Sequence, residues 1–457
     1  MCREYRFDII KLFEKQNYDR LVGMPMIKKT QIVVLSFLCA ALAGCGSSRP
    51  SAEKETSSFT IVTATDLHYL SPELTDYGTG FMRMAANGDG KLVQYAPEIV
   101  DAFVTDMAKL RPDAVILSGD LSFNGEKASH EELAEKLSCL QEQGIPVLVL
   151  PGNHDISYPF AASFEAETVT RTERVNGVEF RDLYKQLGYR DAAETDGDSL
   201  SFLYQLSERV WILLLDANTE DAPGRIKDST LQWAERQMER AEEAGAAVIT
   251  VTHQNVLAQN KLLSRGFLLD NHEELERLLK GHGVVLNVSG HVHIQHIAEN
   301  GGLYDIATGS LTVAPNRYGV LTVGSDGSTS YETRKVHVGR WDREKTGIAG
   351  DFENFEELSQ AYFDECTRKK MKKELEALSV SEEERGQMTE LAVEMNRNYF
   401  AGMTKPEKEI ADTPGWKLWK EKGAELFFGS YMDSMMEDAG HDENRLLLPP
   451  KSDAGNR

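Results

Sequence analysis

Nine side chains able to bind a metal or move a proton sit in five short blocks of this 457-residue chain. The blocks are Thr65-Asp66-Leu67-His68, Gly119-Asp120, Gly152-Asn153-His154-Asp155, Thr252-His253 and Gly290-His291-Val292-His293. Taken singly, each has an ordinary reading: an Asp after a strand is usually a turn former or helix cap, and a lone His is usually a satisfied polar group. Together they mix imidazole, carboxylate and amide, a donor set that suits Mn, Fe, Zn or Ni rather than Ca or a thiolate-bound ion. Asp66 and His68 are two apart and can reach one ion from a loop; His291 and His293, also two apart, can serve adjacent ions. Gly119, Gly152 and Gly290 let the backbone turn sharply beside the cluster. His130, His272, His282, His296, His337 and His441 lack such placement and read as ordinary polar side chains.

The elements that must position these blocks are short apolar runs. Strands are expected at Phe59–Thr65, Ala114–Ser118, Val147–Leu150, Val210–Leu215, Val248–Thr252 and Val284–Ser289, near-continuous Val/Ile/Leu stretches of the kind buried on both faces. Every block follows or ends one of them, and ligands of open α/β sheets bind beyond the carboxyl ends of the strands. Helical spacing of Ile99, Val100, Phe103, Val104, Met107 and Leu110, and a capped stretch from Ser229 to Gly245, alternate with the strands, which implies an α/β sandwich. Later strands around Tyr304–Ile306, Gly319–Val323 and Thr333–Val338 have Gly-rich turns between them and are expected to be antiparallel. From 351 to 440 the strand pattern stops. Three amphipathic helices are expected there, Phe352–Leu378, Glu382–Gly402 and Trp416–Ala439, forming a separate helical domain that packs on the sheet or caps the metal site, with Trp416, Trp419, Phe427 and Phe428 in its core. Residues 441–457 read as a tail. The long excursion Tyr158–Asp198, with Arg171, Arg174 and Arg181, reads as a surface insertion or a lid.

Lys+Arg number 50 and Asp+Glu 73, a net charge of −23 that repels polyanions and argues against a stable nucleic-acid partner. Five Cys exclude a disulfide-dense scaffold; Cys139 and Cys366 have no CxxC partner and read as buried thiols. Residues 26–42, with Lys28 and Lys29 ahead of an apolar stretch, form a signal peptide rather than a membrane span. The run Leu42-Ala43-Gly44-Cys45 resembles a bacterial lipobox, which makes Cys45 the expected site of lipidation. Residues 1–45 are then extension and signal, with Met24 or Met26 the expected start, and 46–58 a flexible tether. The expected location is extracytoplasmic, anchored to the membrane by lipid.

The ordered set D-x-H, GD, GNHD, H and GHVH resembles the calcineurin-like metallophosphoesterase superfamily over roughly Thr60 to His296. The resemblance implies a four-layer α/β/β/α domain at 59–340 and a two-metal centre. Asp66, His68 and His293 would hold one ion, Asn153, His253 and His291 the other, and Asp120 would bridge them. His154 would contact the phosphate and protonate the leaving oxygen, with Asp155 orienting it. Two metals activate water for in-line attack, so no protein nucleophile is required.

Departures within the superfamily narrow the substrate. Phe123 stands where purple acid phosphatases carry a ligating Tyr, and Asp120 is not followed by the Asp-Arg-Gly pattern of Ser/Thr protein phosphatases. The tail is short and helical, unlike the appended α/β domain of secreted nucleotidases, and the acidity and the lipid anchor argue against the DNA-repair nucleases that share GNHD. The runs Thr65–Leu70 and Leu117–Lys127 look particularly like bacterial class III cyclic-nucleotide-phosphodiesterase lipoproteins with a C-terminal helical domain. The expected activity is hydrolysis of phosphodiesters, with a cyclic nucleotide as one candidate substrate. The alternatives are a phosphomonoesterase or nucleotide pyrophosphatase on the same site, and a surface-binding lipoprotein without catalysis; the last predicts a broken ligand set, and no position is broken.

Overall fold

A computed structural model describes residues 58–86, 88, 90–347, 350 and 352–450. The expected signal peptide, Cys45 and all but the last residue of the expected tether lie outside the described residues.

The first sheet contains β1 (Phe59–Ala64), β2 (Ala114–Leu117) and β3 (Val147–Val149), all parallel, each buried along most of its length. The second sheet contains β4 (Glu194–Thr195), β5 (Phe202–Gln205), β6 (Val210–Leu214), β7 (Ala247–Val251), β8 (Leu286–Ser289), β9 (His296–Asn300) and β10 (Leu303–Ala307), in the order β9-β10-β8-β7-β6-β5-β4. β11 (Arg317–Val323), β12 (Thr329–Lys335) and β13 (Arg445–Leu448) complete the first sheet, in the order β13-β12-β11-β1-β2-β3. β10 was expected to be antiparallel; it is antiparallel to β9 but parallel to β8. The reason is β9, a strand absent from the expectation, which folds back through Gly301 and Gly302, both at positive φ.

The two sheets face each other across one core, to which Ile61, Ile116 and Leu148 contribute from one side and Ile212, Val251, Val288 and Ile306 from the other. α1 (Ala96–Leu110) and α2 (Lys127–Glu142) cover the first sheet through Ile99, Phe103, Leu133 and Leu137. α3 (Asp228–Ala244), ended by the left-handed Gly245, and α4 (His272–Gly281) cover the second through Leu231, Trp233, Met238 and Leu275. The architecture is the expected α/β/β/α sandwich. Cys139 departs from its expected burial: it is exposed, because the inward face of α2 is taken by Leu133, Leu137 and Leu140, while Cys366 is buried.

The helical region starts earlier than expected, with α5 (Val338–Thr346), followed by α6 (Phe355–Leu375) and α7 (Glu382–Phe400), the latter opened by a capping box between Ser381 and Glu384. The single helix expected at Trp416–Ala439 is broken into Pro414–Leu418, a π-turn at Trp419–Gly423 and Phe427–Met435. The break lets the chain fold closely on itself: a Cβ on Gly429 would lie 2.2 Å from the Gly423 carbonyl oxygen. Trp419 and Phe428 are core, as expected, whereas Phe427 is 63% exposed. The segment expected as a tail supplies β13, paired antiparallel with β12. Within Tyr158–Asp198, a hairpin (Ala162–Glu165 with Thr168–Arg171) packs beside the helix Thr79–Ala85, Arg171 lies over Phe160, and Arg181 donates to the Ser199 carbonyl oxygen at 2.7 Å. Among the described residues no helix is long and apolar enough to cross a membrane.

Candidate metal centre

The five blocks converge beyond the ends of β1, β2 and β3 in one sheet and β7 and β8 in the other. Ten described non-glycine residues have positive φ, and five of them are Asp66, His68, Asp120, His291 and His293. Such conformations cost roughly 1–3 kcal/mol each and persist where the surroundings over-determine them. Here they do: the Asp66 carbonyl accepts from Ser310 Oγ (2.9 Å) and Thr312 Oγ1 (3.2 Å), and the His68 amide donates to the Asp120 carbonyl (3.0 Å). The glycines serve close approach as much as turning. A Cβ on Gly152 would sit 2.2 Å from the Asp120 amide, and one on Gly290 2.0 Å from Thr65 Oγ1.

Two groups of ligand-type atoms result, each with all members within 4.8 Å of one another: Asp66, His68, Asp120 and His293, and Asp120, His253 and His291. Asp120 belongs to both. Its Oδ2 lies 3.9 Å from His68 Nε2 and its Oδ1 3.3 Å from His253 Nε2. Asn153 Oδ1 joins the second group, 3.2 Å from His253 Nε2.

The surroundings point the remaining atoms inward. Asp66 Oδ2 accepts from Thr65 Oγ1 (2.8 Å) and the His291 amide (2.9 Å), while Oδ1 is buried with no hydrogen-bond partner, 3.2 Å from His293 Nε2. The Nε2 atoms of His68 and His293 face each other at 3.1 Å. His253 donates from Nδ1 to the Ser118 carbonyl (2.8 Å), which leaves Nε2 for the centre; His291 donates from Nε2 to the Gly266 carbonyl (2.8 Å), which leaves Nδ1. An outer hydrogen bond that fixes the ring tautomer is the usual support of a metal-binding histidine. An orphaned carboxylate oxygen among converging imidazole lone pairs fits divalent cations, which these residues would hold.

Electrostatics agree. Burial opposes the charge on Asp120, but the imidazoles of His253 and His154 hold its carboxyl well below the usual range. Burial likewise opposes a proton on His253, yet the Asp120 carboxylate, with Asp66 behind it, pushes it up to about 9. Burial and the neighbouring His253 push His291 down to about 4. A cation held by these residues would take the place of that proton.

His154 is half-buried beside the centre, its ring edge-on to His68 at 5.3 Å, and loss of solvent around the ring pushes it down to about 4. Its Nδ1 faces two acceptors, the Phe123 carbonyl (3.1 Å) and Asn124 Oδ1 (3.2 Å), so the neutral ring carries its proton there. Asp155 does not orient this ring as expected. Its carboxylate accepts from the amides of Leu121 (3.1 Å), Ser122 (2.9 Å) and Gly152 (2.8 Å) and from Ser122 Oγ (2.9 Å). It therefore clamps the Asp120 loop to the Asn153 loop, while burial and Asp120 push it up to about 7. His130, read from sequence as an ordinary polar residue, is one: buried, it contacts the Tyr184 hydroxyl (2.9 Å) and the Asp155 carbonyl (3.2 Å).

Sequence reasoning missed Asn124 and Lys91. The Lys91 ammonium is close enough to push the protonation of both His68 and His154 down, after the larger effect of burial. Its only sequence signal is a lone cation in the turn Gly90-Lys91 ahead of α1.

A probable cyclic nucleotide phosphodiesterase of Synechococcus sp. is 26% identical over 191 residues, 42% of this chain and 61% of that relative's length. Solved structures with a similar chain include a dimetal phosphatase from Danio rerio (14% identity, TM-score 0.44, covering 61% of this chain and 96% of that one) and a purple acid phosphatase from yellow lupin (13%, 0.38, 62% and 52%). Residues 337–442 match the family described as the C-terminal domain of cyclic nucleotide phosphodiesterase. Residues 59–295, more than half of the chain and the span that carries every block of the centre, match the calcineurin-like phosphoesterase family, and the chain belongs to that family.

Proposed function

We propose that the chain is a two-metal phosphoesterase that hydrolyses phosphodiesters, with cyclic nucleotides among its substrates. The observation that carries this reading is the Asp120 carboxylate, whose two oxygens face separate imidazole groups. The diester preference is supported by the similarity to the probable cyclic nucleotide phosphodiesterase of Synechococcus and by the match of residues 337–442 to the C-terminal domain family of cyclic nucleotide phosphodiesterases.

Bound divalent cations would supply Lewis acidity toward the phosphoryl oxygens and lower the pKa of water. The chain's own residues do the rest. Asp66, His68, Asp120, Asn153, His253, His291 and His293 position the ions, and the buried Asp155 clamp keeps the two loops in register. With Nδ1 bonded to the Phe123 carbonyl, His154 presents Nε2 as its variable atom. Holding a second proton there for a departing oxygen is opposed by burial and favoured by an anionic phosphoester alongside. Lys91 adds positive charge toward that anion. Among candidate ions, the imidazole–carboxylate set supports Mn, Fe, Zn or Ni. Lipidation at Cys45 and an extracytoplasmic, membrane-anchored location complete the proposal, supported by the order of basic, apolar and small residues before that Cys.

Rates on bis-p-nitrophenyl phosphate and p-nitrophenyl phosphate, measured side by side with added Mn²⁺, test the diester preference. The expected outcome is faster turnover of the diester; faster turnover of the monoester would make the protein a phosphomonoesterase on the same site.

A further inference from the structure

A second cluster of ligand-type side chains lies where the catalytic domain meets the helical region. His296 opens β9, Asp438 ends the helical turn Met436–Asp438, and Glu443 lies just before β13. Their nitrogen and carboxylate oxygens come within 4.8 Å of one another.

His296 is 7% exposed, and its Nε2 is buried without a hydrogen-bond partner. The tautomer is set from behind. Gln259 donates its amide hydrogens to the carbonyls of Leu257 (3.3 Å) and Asp305 (3.2 Å), so its Oε1 faces His296 Nδ1 at 2.9 Å as an acceptor. Nδ1 must therefore carry the ring proton, and the Nε2 lone pair points at Asp438 Oδ2, 3.4 Å away. Glu443 closes the third side: it accepts from the Ile297 amide at 3.3 Å, and burial raises its carboxyl. His441 stands outside it, Nδ1 3.5 Å from Glu443 Oε1.

A lone pair and two carboxylates facing one another repel unless a cation lies between them. Nε2 makes no hydrogen bond in this arrangement. A tetrahedral ion with bonds of roughly 2.0–2.2 Å spaces its ligands about 3.4 Å apart, and one His with two carboxylates plus water is a suitable donor set for Zn²⁺. The Gln259 contact is the outer-shell hydrogen bond that a metal-binding histidine commonly makes.

We propose that His296, Asp438 and Glu443 form a third metal site, separate from the catalytic pair, which holds a divalent transition ion of the Zn²⁺ type and pins the C-terminal segment to the catalytic domain. The ligands come from positions 296, 438 and 443, so one ion ties the end of the helical region and the approach to β13 onto β9. Its role is structural, and it goes beyond the phosphoesterase reading.

The test is Zn²⁺ stoichiometry on the full chain, stripped with chelator, reloaded with Zn²⁺ and freed of excess by gel filtration. Wild type is expected to retain three equivalents. The near-isosteric His296→Gln and Asp438→Asn variants are expected to retain two, to keep their Mn²⁺-supported diesterase turnover within about twofold, and to lose several degrees of the Zn²⁺-dependent rise in melting temperature. Turnover reports that each variant is folded. Loss of the third equivalent in either variant supports the site; saturation of wild type at two, or retention of three by both variants, overturns it. A His68→Ala/His253→Ala chain separates this site from the catalytic pair: it is expected to keep one equivalent, which the added His296→Gln change removes.

Discussion

At the scale of residues, the centre is a competition between protons and cations for the same lone pairs. Without a bound cation, His253 would be pushed up to about 9, with burial opposing and Asp120 prevailing. Its folded value lies above its unfolded one, so its contribution to metal-free stability is full below the unfolded value of about 6.5 and is lost as pH rises through about 9. Metal binding displaces that proton. Affinity for Zn²⁺ or Mn²⁺ is therefore expected to rise with pH, by about tenfold per unit for one displaced proton, and to level off above about 9. Calorimetric titrations in buffers of different ionisation enthalpy check this; affinity independent of pH between 6 and 8.5 would contradict it. Lys91 supplies charge without being a ligand. Lys91→Met is expected to raise KM for an anionic diester by roughly 3–10-fold with metal content unchanged, a loss of about 1 kcal/mol of substrate attraction, and steady-state kinetics at low salt read it directly.

At the scale of elements, the alternation in His291-Val292-His293-Ile294 does two things at once. The histidines face the candidate metal centre, while Val292 and Ile294 enter the apolar core of the helical region with Met371, Leu375, Met388 and Trp419. The helical region thus anchors two metal-binding residues through the side chains between them. Ile294 is 1% exposed, and Ile294→Ala is expected to cost about 2–5 kcal/mol. Because it loosens the same loop, it should also weaken metal retention. Thermal unfolding with and without Mn²⁺ measures both effects. The parallel strands were readable because burial on both faces leaves uninterrupted Val/Ile/Leu runs. β9 was not: His296-Ile297-Ala298-Glu299-Asn300 is a mixed edge strand whose pairing depends on the Gly301-Gly302 reversal. The broken helix after Trp416 was hidden for a related reason. Its period is helical, and only the close packing of Gly423 against Gly429 stops it. The ligand blocks were readable because they combine unusual residue types with strand ends. The role of Asp155 was not, because a carboxylate that caps backbone amides looks in sequence like one that orients a histidine.

At the scale of the whole molecule, the two sheets meet at the metal centre. Asp66, Asp120 and Asn153 come from the ends of the first sheet, and His253, His291 and His293 from the second. β13, formed by residues beyond the helical region, returns to close the first sheet, so the chain's last described strand braces the sheet that carries β1. Ions bound across that junction stabilise the folded chain by mass action, and chelation is expected to lower its melting temperature. The net charge of −23 is compatible with an anionic substrate because local cations override the global field where the phosphoester binds. All of this converges on one carboxylate, and replacing it is the most direct test. Metal content and diesterase turnover of Asp120→Ala, measured on folded protein, should both fall: at least one catalytic equivalent of metal lost, and turnover down by about 10³-fold or more. An Asp120→Ala chain that keeps full metal content and full activity would contradict the two-metal account.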